Sequence, residues 1–474
     1  MSPSILPADY TDAEKELVEK VKKGELWSRT TKKDGFDDPA NGTTWGPERT
    51  IRAEVIYALA VGDNPEVHAK GVRIFGAKID GPLDFEGAKI PHPLVLAHCF
   101  IADPITLMDA DALSVGLYGS RVAGIRADGL HTRGSVFLRN GFHATGEVRL
   151  LSAKIGGSLY CTGGTFENAL YADGATVAGG VFLSEGFRAT GEVRLLGVKI
   201  GGQLDCSGGS FENANGFALN MDRATVAATF FLRELASSLV GPVNLGYAQV
   251  GELIDDEESW PNSGKLYLDG FVYGRFAGNA RCRARDRLRW LGLQPDFRPQ
   301  PYEQLIKVLK EMGHEKEARE LAIAKQQELR KREGLGRLSQ AKNWLLDKTI
   351  KYGYESWRAF VLLFIVWLIG TGMFCMAEWT RVMVPSEKDA YHSYKDDSKS
   401  LPEGYPKFHA PLYALDLFVP GIDLHQKSKW YLREKHSAVH WYWIFEFGSV
   451  VYVVVCWILT LLGVGAVSGL VRPH

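Results

Sequence analysis

Apolar residues in the middle of the chain come in pairs separated by a single position. Val136/Leu138, Val148/Leu150, Leu159/Cys161, Leu170/Ala172, Val181/Leu183, Val193/Leu195 and Leu204/Cys206 follow one another at intervals of 11 or 12 residues. The unit extends back through Leu94/Leu96 to Val72/Ile74 and, less regularly, forward to Leu266/Leu268. Alternation of period two marks a short strand with one buried face. The Gly, Asp, Asn and Thr between the units are turn residues. Units this short at near-constant spacing predict stacked coils rather than a sandwich or barrel. Residues 141–168 and 186–213 agree at 21 of 28 positions and start 45 residues apart. That period holds four strand units, hence two coils of about 22 residues each. Residues 66–275 then make a β-solenoid of about nine coils, on the order of 45 Å long at ~4.8 Å per coil.

Each coil adds Val, Leu and Ile to a shared ladder and has no stability alone. Leu159 and Leu204 are expected to point inward at equivalent places, as are Cys161 and Cys206, which read as small apolar core residues. Gly156, Gly157, Gly201 and Gly202 are expected at corners that need positive φ or close backbone approach. Open edges at the ends of such a rod call for caps. Thr11-Asp-Ala-Glu14 is a capping box that opens a helix running to about Gly24. A second helix is expected over 48–61, with Ile51, Val55 and Ala58 on one face. Residues 1–65 thus form a helical N-terminal cap.

The period changes from 302 onward. Leu305, Val308, Leu309 and Met312, then Ala318, Leu321 and Ala322, predict a helical hairpin turning at 312–315, within a linker and hairpin region of 276–357. Residues 359–377 and 447–471 are two uncharged stretches of 19 and 25 residues, long enough to span a bilayer. Tyr352, Tyr354 and Trp357, Trp379, and Trp441 to Trp443 flank them as interface anchors. Residues 358–474 are therefore read as a two-span membrane domain. The first 16 residues lack a basic region followed by an apolar one, so no signal peptide is expected. That places both termini in the cytoplasm and the loop 378–440 outside.

Several stretches resemble a family of bacterial proteins with pentapeptide-like β-solenoids and a C-terminal two-span membrane domain. They are "RTIRAEVIYAL" (49–59), "GVRIFGAKIDGPLDFEGA" (71–88), "QPYEQLIKVLKEMGHEKEAR" (300–319), "YGYESWRA" (352–359) and "ALDLFVPGIDL" (414–424). Members are labelled pentapeptide-repeat proteins or membrane-associated oxidoreductases. The resemblance implies a solenoid fold, the bacterial inner membrane and, by the second label, redox chemistry.

Composition adds little, since the 474 residues carry a net charge of −1. Nucleic acid is therefore not an expected partner. The six cysteines form no CxxC pair. No strand–GxGxxG–helix, GxSxG, P-loop or HExxH motif occurs, so no cofactor, metal or catalytic residue is expected. His436 and His440 have the spacing of two metal ligands on one helix face, but no third ligand is evident, and interfacial histidines fit as well. "RCRARDRLR" (281–289) is read as local neutralisation of "DDEE" (255–258) rather than as a lipid site.

The segment 409–424 is too short to span and too apolar for an ordinary loop. Read as a re-entrant pore loop of an oligomer, it would bring Asp416 and Asp423, with Glu446, to a shared path. Read otherwise, it lies on the outer leaflet. Gly465 and Gly469 form a GxxxG on the second span and are expected to pack helices, within one chain or between copies. The reading is a membrane-anchored, non-enzymatic solenoid acting as a binding or assembly platform. A homo-oligomer, membrane lipid and a protein partner on the solenoid are expected. An oligomeric ligand-gated or effector-type pore with a re-entrant loop at 409–424 is the alternative, and a membrane-bound oxidoreductase a distant third.

Overall fold

The structure, a computed structural model, describes residues 9–30, 37–332, 344–355, 357–395, 401–418, 423–433 and 439–468. Two compact units divide the chain, one up to Ala322 and the other from Ile323.

The first unit is a parallel β-solenoid of about nine turns. Each regular turn has four two-residue strands, one per side. Arg121–Val122, Ile125–Arg126, His131–Thr132 and Val136–Phe137 make one turn. They pair in parallel with His143, Val148, Lys154 and Leu159 of the next. Repetition forces this register, because a slip by one residue would turn every apolar side chain outward. Leu159 and Leu204 stack through Val181, two turns apart, and are 1% and 0% exposed. Cys161 and Cys206 are likewise buried and unbonded. An interior aromatic column, Phe142, Phe166, Phe187 and Phe211, repeats at ring spacings of 5.2–5.5 Å.

Close approach, not positive φ, explains the paired glycines. A Cβ on Gly156 would lie 2.5 Å from the Arg133 carbonyl, and one on Gly201 2.3 Å from that of Ala178. Left-handed backbone instead occupies a different corner, where Asn140, Gly163, Glu185 and Gly208 stack with φ of 57°, 65°, 49° and 69°.

Helix α1 (Asp12–Lys23) carries the expected capping box, with Gly24 left-handed at its end. The second helix is shorter than its expected range. Thr50–Arg52 is a strand that pairs with Lys78–Asp80, and α2 covers only Ala53–Ala60. Backbone pairing to the first turn outweighs helix formation there. Trp27–Ser28 also joins the stack, on Ile74 and Phe75, so the column begins ahead of residue 66.

At the other end α3 (Ala284–Leu291) and α4 (Pro299–Glu311) close the last turn. Gln300 accepts from the Gly270 N–H at 2.8 Å, and Gln304 donates to the Tyr273 carbonyl at 2.7 Å. These side chains satisfy a strand edge that would otherwise be open. Helix α5 (Glu315–Arg332) completes the hairpin and runs across the unit boundary.

In the second unit, α6 (344–349) precedes α7 (Trp357–Trp379); α8 (Lys388–Lys395) and α9 (Ala410–Phe418) follow, and α10 (Val439–Val467) is last. Trp357–Trp379 and Tyr442–Val467 are long and apolar enough to cross a membrane, and only 17% and 28% of their most apolar stretches are buried. They pack antiparallel. Gly370 lies under the Tyr452 ring, Gly448 against Met373, and Gly463 against Ala359. Between them, Met383–Pro385 pairs antiparallel with Trp430–Leu432.

Candidate functional site

Two places gather side chains beyond what folding alone requires. The first is an outward column on one side of the solenoid. Residues midway between the inward apolar pairs face out, and Phe137, Tyr160 and Phe182 stack there with Tyr118. Ring centroids are 5.4, 5.2 and 4.8 Å apart and the planes lie within 26° of parallel. The Arg139 guanidinium stands 5.1–5.4 Å from three of the rings. Such a stack offers apolar edge and fixed positive charge together. The sequence reading missed it. Its signal was present, as aromatic residues 22 and 23 positions apart inside the Val-x-Leu units.

The second place is α9 and the turn that follows it. Asp416 is 1% exposed. One carboxylate oxygen accepts from the Leu424 N–H at 3.2 Å, the other from Gln426 and Lys427 at 3.0 and 2.9 Å. The Lys427 ammonium lies 3.6 Å away. Gln426 accepts in turn from the His409 N–H at 3.1 Å, tying the start of α9 to its return. The α9 carbonyls are held by the long helices. Trp367 donates to the Pro411 carbonyl at 3.1 Å, and the Tyr452 hydroxyl to that of Ala414 at 2.9 Å. Trp367 is 12 residues from the end of α7, about 18 Å along a helix. Tyr452 is ten residues into the apolar stretch of α10, about 15 Å. Phe374, Tyr413 and Tyr452 pack edge-on around this contact.

Among the other expected site residues, Asp423 is 55% exposed and faces His425 at 3.3 Å. Glu446 is half-buried on α10. The structure does not bring Asp416 and Asp423 together on one surface: the first is consumed by backbone donors, the second is turned outward. Gly465 is half-buried, while the close helix contact falls on Gly463, whose added Cβ would sit 3.4 Å from that of Ala359. The antiparallel register sets this, matching the end of α10 to the start of α7. Gly469, His436 and the side chain of His440 lie outside the described residues.

Three of the five arginines of 281–289 are paired locally with acidic residues, while Arg283 and Arg285 are exposed. Arg287 is fully buried in a two-bond contact with Asp255, both bonds 2.7 Å, and lies 3.8 Å over the Phe276 ring. Arg281 and Arg289 share Glu257. Among the described residues no three His, Cys, Asp or Glu gather as a metal-binding group. Burial pushes the Cys99 thiol up to about 12 and those of Cys161 and Cys206 well above the ordinary range. Comparison with protein-family models, curated proteins and solved structures finds no match.

Proposed function

We propose that the protein is a membrane-anchored platform, with the solenoid as a docking body and the two apolar helices as its anchor in a bacterial inner membrane. The observation that carries this reading is the outward column of Tyr118, Phe137, Tyr160 and Phe182 with its shared Arg139. A partner protein would lay an apolar strip with an acidic flank along it. The test is in-membrane photocrosslinking from a residue beside the column, comparing wild type with Tyr160→Ser and Arg139→Glu. Both variants should lose the same crosslinked species while the solenoid melts unchanged. Retention of that species in both would refute the reading. In the proposed topology both termini are cytoplasmic, so alkaline phosphatase should be active when fused after Glu403 and inactive after Arg298.

A second reading, a pore formed by several copies, is favoured by the depth of α9. With α7 and α10 spanning, its carbonyls lie about 15–18 Å below the outer helix ends, near the middle of a hydrocarbon core about 30 Å thick. A re-entrant half-helix occupies that position. In this reading Asp423 supplies the exposed carboxylate and Asp416 holds the turn in shape. Asp423→Asn should then alter cation selectivity in proteoliposomes, and Asp416→Asn should abolish flux by loosening the turn. Flux indifferent to both would leave the platform alone.

A further inference from the structure

Cations collect where the two apolar helices end together. Helix α6 docks there, with Leu346 and Ile350 packed against Ala359 at the start of α7 and Leu462 and Ala466 at the end of α10. Residues 323–358 carry nine Lys and Arg against four Asp and Glu, whereas the loop 380–440 carries nine against eight. Two of these cations, Arg330 and Lys331, line a pocket of 420 Å³ together with Gln327 and Asp347. One buried carboxylate, Asp347, is shared by Gln327 and Lys351, each at 3.3 Å, and by Arg330 at 4.0 Å. A single anion fixes three donors without matching their charge. Lys331 pairs with Glu328 but remains 68% exposed, and Lys348 is exposed on α6. Trp344 on α6 and Trp357 at the start of α7 are 55% and 60% exposed, and exposed tryptophans of this kind suit a membrane surface.

We infer that this pocket binds a phosphodiester, the headgroup of an anionic phospholipid, with Arg330 and Lys331 on its phosphate. The inference rests on the membrane reading above. Asp347 holds Arg330 and Lys351 in place so that little side-chain freedom is lost on binding, and the lipid chains have the exposed apolar sides of Phe360, Phe364 and Leu461 to lie along. A guanidinium beside an ammonium suits a phosphate: the first donates in a fixed fork, the second adds a point charge. Basic pockets at the cytoplasmic ends of transmembrane helices recognise anionic headgroups by the same physics.

The test uses the full chain. Flotation with vesicles of phosphatidylcholine alone asks first whether the chain enters a bilayer at all. Failure there overturns the anchor and this inference together. Binding of phosphatidylglycerol to the detergent-solubilised chain is then followed by native mass spectrometry, against phosphatidylcholine and against inorganic phosphate. Wild type should prefer phosphatidylglycerol. Arg330→Gln and Lys331→Gln should each weaken that preference about five-fold, and Lys388→Gln, in the loop between the helices, should leave it unchanged. Lys331 is mostly exposed, so its variant keeps the fold and the assay readable. Flotation without any preference for phosphatidylglycerol overturns the inference while sparing the anchor. Inorganic phosphate binding with the same sensitivity to both variants, and no lipid preference, assigns the pocket to a free phosphate instead.

Discussion

Truncating Leu204 to alanine tests the shared core of the solenoid at one position. The side chain is 0% exposed, and its strand is held on both sides, by Val181 in one turn and Phe230 in the next. Three carbons are removed, at about 0.8 kcal/mol each from lost burial. Parallel ladder hydrogen bonds keep the neighbouring turns apart, so the hole cannot close, and a cavity term adds about 1–2 kcal/mol. The expected cost is about 4 kcal/mol. Lys199→Ala, at an exposed position of the preceding strand, should change stability by less than about 0.5 kcal/mol. Native-state hydrogen exchange on the solubilised full chain reads both. In Leu204→Ala the amides of 181–232 should exchange through openings about 4 kcal/mol easier, while those of α7 and α10 stay unchanged, since a repeat array transmits damage chiefly to neighbouring turns. Equal protection in the two variants would refute the inward assignment and, with it, the register of the whole stack.

Two further outcomes are expected. Glu14, in the first turn of α1, is buried; burial raises its pKa, but hydrogen bonds from Arg52 at 2.7 and 2.8 Å and from the Thr11 and Arg52 backbones outweigh this and hold it at about 2. A depressed carboxylate stabilises the fold above its unfolded pKa near 4.5 and loses that contribution as pH falls toward 2, here about 3 kcal/mol. Glu14→Gln should flatten this part of the pH–stability curve of the N-terminal cap, and parallel curves for the two proteins would contradict the assignment. In the second unit, Gly370→Leu should displace the Tyr452 ring, which a Cβ would approach to 2.4 Å, and break its hydrogen bond to Ala414. Protection of the 410–418 amides should fall by about 1–3 kcal/mol, with Gly372→Leu silent because nothing lies within 4 Å of that position.

The residue pattern alone was enough to determine the solenoid, the capping box at Thr11, the hairpin after 302 and the two apolar helices. The reason is that each is written in local spacing, and in the solenoid the same spacing is repeated until only one register buries every Val and Leu. Repetition converts local pattern into tertiary structure, so Leu159, Cys161, Leu204 and Cys206 could be placed inward from their neighbours in the chain. The strand at 50–52 was not legible, because its partner at 78–80 belongs to the first turn and the helical pattern of 48–61 holds no sign of it. Asp416 was singled out for its charge, yet only the folded chain shows three backbone N–H groups turned onto it from 424–427. The seating of α9 against the two long helices depends on Trp367 and Tyr452, 44 and 38 residues from the carbonyls they hold. The Asp347 cradle joins α5 to α6 in the same way, through Gln327 and Arg330. Contacts between positions at no fixed spacing leave no periodic trace, so their chemistry appears only when packing brings the side chains together.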